Sequence, residues 1–190
     1  MAIGVSSLGG VAVAARPSQE SPTPAADWVH SVCGVLVQWR GDVEGAATDA
    51  TNSAQKARKL SASARAKQTK QAIETFLGHA MDATATAEEG LRAIGGPPVT
   101  NNADVEDALL ASFDQLASFF QSSRDQAQAV STKQAKQGQG KLSSIAKAII
   151  TQSDEVQSLM NSAVAKDASG ALSGAIAAEP QCADVLGGAA

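Results

Sequence analysis

The chain has 190 residues, the size of a single domain, and a formal net charge of −4. This moderate negative charge favours solubility and excludes the strongly basic class of nucleic-acid-binding domains. Hydrophobic residues make up 44% of the chain but aromatic residues only 3%, so we expect helices around a thin core of aliphatic side chains and alanine.

The N-terminal segment has features of an export signal followed by a linker. Residues 1–15 are small and largely apolar, and Ala12-Val13-Ala14 matches the small-residue pattern of a signal-peptide cleavage site. The basic region that precedes the apolar stretch of a signal peptide is missing. Either the start codon has been placed too far downstream, or the segment is a disordered tail. Residues 16–26 form a linker rich in proline and serine. We expect residues 1–26 to be cleaved or disordered, and residues 27–186 to form the folded domain.

The first predicted helix begins at Asp27, in the position of a cap or first-turn residue. Large apolar residues then recur at steps of three and four, which places them on one helical face. They are Trp28, Val32, Val35, Leu36, Trp39 and Val43. Residues 44–70 are small and polar, and their pattern fits a loop, a poorly anchored helix, or both.

Three further apolar stripes follow along the chain, separated by strong breaks. The second stripe begins at Ile73 and ends at Gly95-Gly96-Pro97-Pro98, where glycine caps the helix and proline stops it. A third helix is predicted to open at Asn101 or Asn102. Residues 133–140 are predicted to be a polar turn. The fourth stripe consists of Leu142, Ile145, Ile149, Val156, Leu159, Met160 and Ala163, and a break at Ser169-Gly170 precedes a short C-terminal segment.

These elements predict an all-α fold. The connections after the second and third helices are short, and short connections favour antiparallel neighbours. Helices of 25–30 residues would each span roughly 40 Å. The sequence therefore predicts an up-down-up-down four-helix bundle with a short C-terminal helix.

The only two cysteines lie far apart in the sequence, at Cys33 and Cys182. In the predicted topology the fourth helix ends at the pole where the first begins, so both cysteines fall at that pole. We therefore predict a Cys33–Cys182 disulfide, which indicates an oxidising compartment outside the cytosol. The alternative is two unrelated buried thiols.

The tryptophan-cysteine motif also carries a resemblance. An alanine-rich helical chain with W-V-x-x-V-C-G at residues 28–34, a Gly/Pro break at residues 95–98 and a single late cysteine resembles small exported helical proteins of actinobacteria, which are mostly uncharacterised. The resemblance spans about residues 27–185. It implies a location in the cell envelope or outside the cell, but neither an activity nor site residues.

Residues suited to catalysis or metal binding are few. The two histidines, His30 and His79, each have an aspartate three positions away, which is typical of surface or cap pairs. A di-iron bundle site needs Glu-x-x-His twice, but Phe76 stands three positions before His79. His30 is expected to be half-buried near the end of the bundle. Nucleophile, phosphate-loop and paired-cysteine metal motifs are missing, so we expect no enzymatic activity, metal or cofactor.

Basic residues are concentrated in two segments that contain no acidic residue. In the predicted topology both segments belong to the pole opposite the cysteines, and we call their ten side chains the basic pole. They are Lys56, Arg58, Lys59, Arg65, Lys67, Lys70, Lys133, Lys136, Lys141 and Lys147. They indicate either a solvated end of the bundle or a surface that binds anionic lipid or an acidic envelope polymer. Aromatic residues are not interleaved among them, which argues against nucleic acid as the partner.

Two functions follow from these features. The first is a non-enzymatic, exported interaction or structural module that binds an anionic surface or another protein. The second is a carrier that holds an apolar ligand such as a lipid between its helices. No stretch after the N-terminus reaches the roughly 18 apolar residues of a membrane span. Phe113, Phe119 and Phe120 are expected in the core, with one of the adjacent pair partly exposed.

Overall fold

The computed structural model describes residues 24–182, apart from the side chains of residues 150, 152–157, 159 and 160. Residues 1–23 of the leader and linker predicted over residues 1–26, and the core positions predicted at Val156, Leu159 and Met160, lie outside this description. Within it the fold is all-helical. The helices are α1 (Pro24–Ala57), α2 (Ala62–Ile94), α3 (Asn102–Ala129), α4 (Ala135–Val164) and α5 (Ala171–Ala178).

The stretch for which the sequence left loop and helix open is helical almost throughout. Helix α1 continues to Ala57, a turn occupies residues 58–61, and α2 begins at Ala62. Large apolar residues are scarce here, and small ones take their place: Ala46, Ala57 and Ala66 are buried. Alanine has the highest helix propensity and lets neighbouring helices approach closely, so this segment needs no apolar stripe.

Two boundaries differ from those predicted. Helix α1 begins at Pro24, three residues before Asp27, because proline suits the first turn of a helix, where its missing N–H is not needed.

The predicted polar turn over residues 133–140 is wrong over most of its length, since α4 begins at Ala135. Lysine, glutamine and alanine are good helix formers, and Gly138 is buried where a Cβ would lie 2.6 Å from the Ser131 carbonyl oxygen. Because Gly138 has no side chain, the first turn of α4 can pack closely against Ser131 in the connection between α3 and α4.

The predicted helix stop at Gly95 is confirmed, and so is the break at Ser169-Gly170, although α4 already ends at Val164. Gly95 caps α2 with φ at 75° and donates its N–H to the Leu91 carbonyl at 3.0 Å. Gly170 precedes α5 with φ at 72°. Both residues have the left-handed backbone that glycine adopts without steric cost, and therefore the chain can change direction there.

The core joins the apolar faces of the helices around a few aromatic rings. Phe113 is fully buried and meets Trp39 edge-on, with ring centroids 5.6 Å apart. Phe120 is buried against Phe76, whereas Phe119 is half-buried. The expectation that one of the adjacent phenylalanines is partly exposed is confirmed.

The four long helices pack together, and α5 packs on α1. Helix α1 lies against α2, while α2 also contacts α3 and α4, and α3 contacts α4. The α1–α2 seam is tight at Gly90, where a Cβ would lie 3.2 Å from Val35 Cγ2. Along this seam Trp28 Nε1 donates to the Gly95 carbonyl at 2.8 Å, and Trp39 Nε1 donates to Thr84 Oγ1 at 3.2 Å.

Candidate functional site

The first group of basic-pole residues surrounds the α1–α2 connection. Lys56 lies in the last turn of α1, and Arg58 and Lys59 follow in the connection. Cations at the C-terminal end of a helix interact favourably with its partial negative charge. All three side chains are exposed, as is Lys67 in the first turns of α2.

Arg65 has a structural position within this group. Its Nη2 donates to the carbonyl oxygens of Arg58 at 3.0 Å and Leu60 at 3.2 Å. These carbonyls follow the end of α1 and have no helical partner, so the guanidinium group satisfies acceptors that a helix end leaves open. Arg65 is half-buried and closes the connection. Its Nη2 is therefore directed inward, toward the backbone of the connection.

Lys70 connects the two groups of the basic pole. Its Nζ donates to the carbonyl oxygens of Gln128 at 2.5 Å and Val130 at 3.1 Å, at the end of α3, and lies 3.8 Å from Glu74 Oε1. The side chain is 22% exposed. This lysine brings the start of α2 to the end of α3, directly before the segment that carries the remaining lysines.

The second group lies on the α3–α4 connection and α4. Lys133, Lys136, Lys141 and Lys147 are all exposed. Lys133 and Lys136 flank the start of α4, whereas Lys147 lies about 18 Å further along the helix axis at 1.5 Å per residue. The cationic surface is consequently densest around the two connections and extends as a stripe along α4.

The ten predicted cations thus fall into two classes. Arg65 and Lys70 are half-buried and bind backbone carbonyls, while the other eight are exposed. In residues 24–182, no ion pair joins any of these eight to an acidic side chain that the structure describes. Eight positive charges are therefore available to an anionic partner.

The predicted disulfide is present at the opposite end of the molecule. Cys33 in α1 and Cys182 after α5 are bonded, with Cα atoms 5.3 Å apart, within the range that a disulfide spans. The two residues are 1% and 0% exposed. We call this bond and the side chains that connect α1 with residues 165–182 the disulfide pole.

His30 contributes to the disulfide pole in a way that the sequence did not predict. Its Nδ1 lies 3.0 Å from Glu179 Oε2, and its side chain is 62% exposed, so the expected half-buried position is wrong. The hydrogen bond from His30, together with one from the Gln181 N–H, lowers the pKa of Glu179. The predicted neighbour Asp27 is not the partner, because the turn after α5 brings Glu179 closer.

Asp167 is a further functional side chain that sequence reasoning missed. It is buried in the connection between α4 and α5, where Oδ2 accepts from the Leu172 N–H at 2.9 Å. Its Oδ1 accepts from the N–H and hydroxyl of Ser169. These hydrogen bonds, that of Leu172 first, lower the pKa of Asp167. The sequence Asp-x-Ser-Gly at residues 167–170, directly before a short helix, is a helix-capping signal from which this role of Asp167 could have been predicted.

An apolar void lies beneath α5 at the disulfide pole. Its walls come from α1, α3, α4 and α5, and they include Trp28, Leu36, Leu109 and Ile176. The void measures about 20 Å³. One water molecule needs about 10–15 Å³ on this measure, so this void has no room for a lipid.

The remaining histidine lines an open, polar groove. His79 and Asp49 face a hollow of about 240 Å³ between α1 and α2. Among the described residues, no three His, Cys, Asp or Glu side chains lie close enough together to hold a metal ion. No helix in the described part of the chain is both long enough and apolar enough to cross a bilayer.

Comparison of the chain with known protein families, with curated proteins and with solved structures gave no match.

Proposed function

We propose that this protein is an exported, non-enzymatic interaction module that binds anionic lipid or an acidic envelope polymer through the basic pole. The observation that carries the proposal is the pair of hydrogen bonds from Lys70 to the carbonyls of Gln128 and Val130. These bonds bring two basic segments, about 60 residues apart in sequence, to neighbouring turns. The eight exposed cations then form one surface, which is densest around the two connections and extends along α4 to Lys147.

The exported location rests on the disulfide. Disulfides persist in oxidising compartments and are rare where thiols are kept reduced. The Cys33–Cys182 bond is consistent with the envelope or extracellular location that the resemblance to exported actinobacterial proteins implies. The N-terminal segment would serve as the export signal in this proposal.

The arrangement of the helices in the proposal is the up-down-up-down bundle. It is supported by side-chain hydrogen bonds between the start of one helix and the end of another. Trp28 at the start of α1 bonds to Gly95 after α2, and Asn101 before α3 bonds to the Lys166 carbonyl after α4. This order brings the connections α1–α2 and α3–α4 to the same end, as the basic pole requires.

Co-sedimentation with vesicles tests the proposed binding. We expect the protein to bind vesicles of phosphatidylglycerol at low salt, to bind less at physiological salt, and not to bind phosphatidylcholine. Each well-placed cation contributes about 1 kcal/mol near an anionic surface, and salt screens this attraction. The variant Lys56→Gln, Lys59→Gln, Lys67→Gln should therefore bind roughly a hundredfold more weakly.

A matched control separates local charge from net charge. The variant Arg40→Gln, Arg92→Gln, Lys166→Gln also removes three positive charges, but from outside the basic pole, and should retain wild-type binding. Equal loss in both triple variants would contradict a localised site. Equal binding by wild type and the basic-pole variant would leave these lysines as a solvated end.

The carrier of an apolar ligand is the second candidate. Its strongest support is the apolar lining beneath α5, but the void there is only about 20 Å³. A carrier would have to open this region to admit a lipid. Native mass spectrometry of protein purified from its own host distinguishes the two candidates, because a carrier should co-purify with its ligand.

A further inference from the structure

We propose that residues 171–182, the latch, close over an apolar groove and are held there by the Cys33–Cys182 disulfide. Without the disulfide the latch opens while the four long helices stay folded. The proposal is independent of the basic pole, since it concerns the opposite end of the molecule.

The latch is weakly built as an element. Helix α5 has eight residues, fewer than the 12–15 or so at which an isolated helix begins to be stable in water. It packs on α1, and its large apolar side chains are the fully buried Leu172 and the half-buried Ile176. Its position consequently depends on its attachments more than on its own helical structure.

The attachments differ at the two ends of the latch. At its start Gly170 has a left-handed backbone, and the carboxylate of Asp167 bonds to Ser169 and Leu172, inside the connection itself. These bonds shape the hinge, and the Asn101 side chain, which donates to the Lys166 carbonyl, joins the preceding part of the connection to the start of α3. At its far end the disulfide and the His30–Glu179 contact both reach α1, within one helical turn of each other.

The surface beneath the latch is apolar. Val29, Val32 and Leu36 of α1, Val105 and Leu109 of α3, and Ala163 of α4 line the void next to Ile176. Ile176 thus covers an apolar seam formed by residues of α1, α3 and α4, while α5 itself packs on α1. Removal of the latch would expose this seam to water and would therefore add an apolar patch to the surface of the protein.

The chemistry of closure is ordinary thiol–disulfide exchange. Two cysteine thiols give up two protons and two electrons to a disulfide oxidant, which leaves as two thiols, and the Sγ–Sγ bond forms. A dithiol reverses the reaction and leaves as its own disulfide. Because both cysteines are at most 1% exposed, the reductant reaches the bond only after the latch has moved. The rate of reduction therefore reports opening of the latch.

Hydrogen exchange of the full chain, followed by mass spectrometry, is the first test. In the variant Cys33→Ala, Cys182→Ala we expect amides of residues 171–182 to be at least about tenfold less protected than those of α2 and α3, because the latch opens locally whereas the long helices exchange only when the whole domain unfolds. A hydrophobic dye should also fluoresce more strongly on the variant. Unchanged protection of the latch, or uniform loss across all helices, would overturn the proposal.

Reduction kinetics provide a second test in the native, oxidised chain. With excess dithiothreitol and trapping of free thiols, Leu172→Ala should be reduced about tenfold faster than wild type, because the substitution removes the main buried contact of the latch. Leu142→Ala is the matched control: Leu142 is equally buried but lies at the start of α4. Equal rates in all three proteins, or equal acceleration in both variants, would refute local opening.

Discussion

The two ends of this molecule are fastened by different means. At the disulfide pole, residues 149 positions apart are joined covalently, and the His30–Glu179 contact lies beside the bond. At the basic pole, Arg65 and Lys70 bind main-chain carbonyls at helix ends and join neighbouring connections. The disulfide pole is held by contacts between side chains, whereas the basic pole is held by hydrogen bonds from cationic side chains to main-chain carbonyl oxygens.

This contrast teaches that clustered charges need not share one role. Lys67 and Lys70 stand in the same run of sequence, yet Lys67 is exposed and Lys70 holds α3. We expect substitution of the exposed cations to leave stability nearly unchanged, and substitution of Arg65 or Lys70 to lower it. Experiments on the basic pole must therefore separate surface charge from structural charge.

The largest expected effect lies at the disulfide pole. Cys182→Ala should lower the free energy of unfolding by up to about 5 kcal/mol, since the disulfide closes a loop of 149 residues and restricts the unfolded chain. The melting temperature should fall by about 10 °C or more, as measured by circular dichroism. Cys33→Ala and the double variant should behave like Cys182→Ala, because either change removes the same bond. Losses that add in the double variant would show that the cysteines contribute separately.

A smaller effect is expected at the basic pole. Lys70→Met should lower the free energy of unfolding by about 2 kcal/mol, because two carbonyls lose a charged donor. Lys67→Met removes the same charge from an exposed position and should change stability by less than about 0.5 kcal/mol. Denaturant unfolding measures both values. Similar losses in the two variants would contradict the division into structural and surface cations.

The smallest expected effect is a loss of stability at acidic pH. The pKa values of Asp167 and Glu179 are lowered from ordinary values of 3.8 and 4.5. Their contribution to stability is therefore complete above those values and is lost as the pH falls through the lowered pKa values of the folded protein. Denaturant midpoints should fall between pH 6 and pH 3. Asp167→Asn should reduce this fall, whereas Asp107→Asn, at an exposed position, should leave it unchanged. An identical fall in both variants would contradict a role for Asp167.

Much of the fold could be predicted because its signals are local. Apolar residues at steps of three and four predicted the four long helices, and Gly95 and Gly170 marked two stops. The disulfide was predicted from the expected helix order, which put Cys33 and Cys182 at one pole, and the bond between them is present. The helical stretch after Val43 could not be settled in this way, because alanines such as Ala46 and Ala57 pack without giving an apolar stripe.

The candidate site was less predictable because its decisive contacts are not local. No pattern in the sequence distinguishes Lys70 from Lys67; the difference depends on which helix end lies opposite each side chain. His30 was assigned to its sequence neighbour, but the chain folds back to supply Glu179. Asp167 is different, because Asp-x-Ser-Gly directly before a short helix is a recognisable local capping signal.

The two indole hydrogen bonds along α1 have a spectroscopic consequence. Tyrosine is absent, so near-ultraviolet fluorescence comes almost wholly from Trp28 and Trp39. Both indoles donate across the α1–α2 seam, in the half of α1 that carries Cys33. A red shift of the emission would therefore report water entering this half of the seam. Fraying of the lysine-bearing turns at the other end would pass without an optical signal.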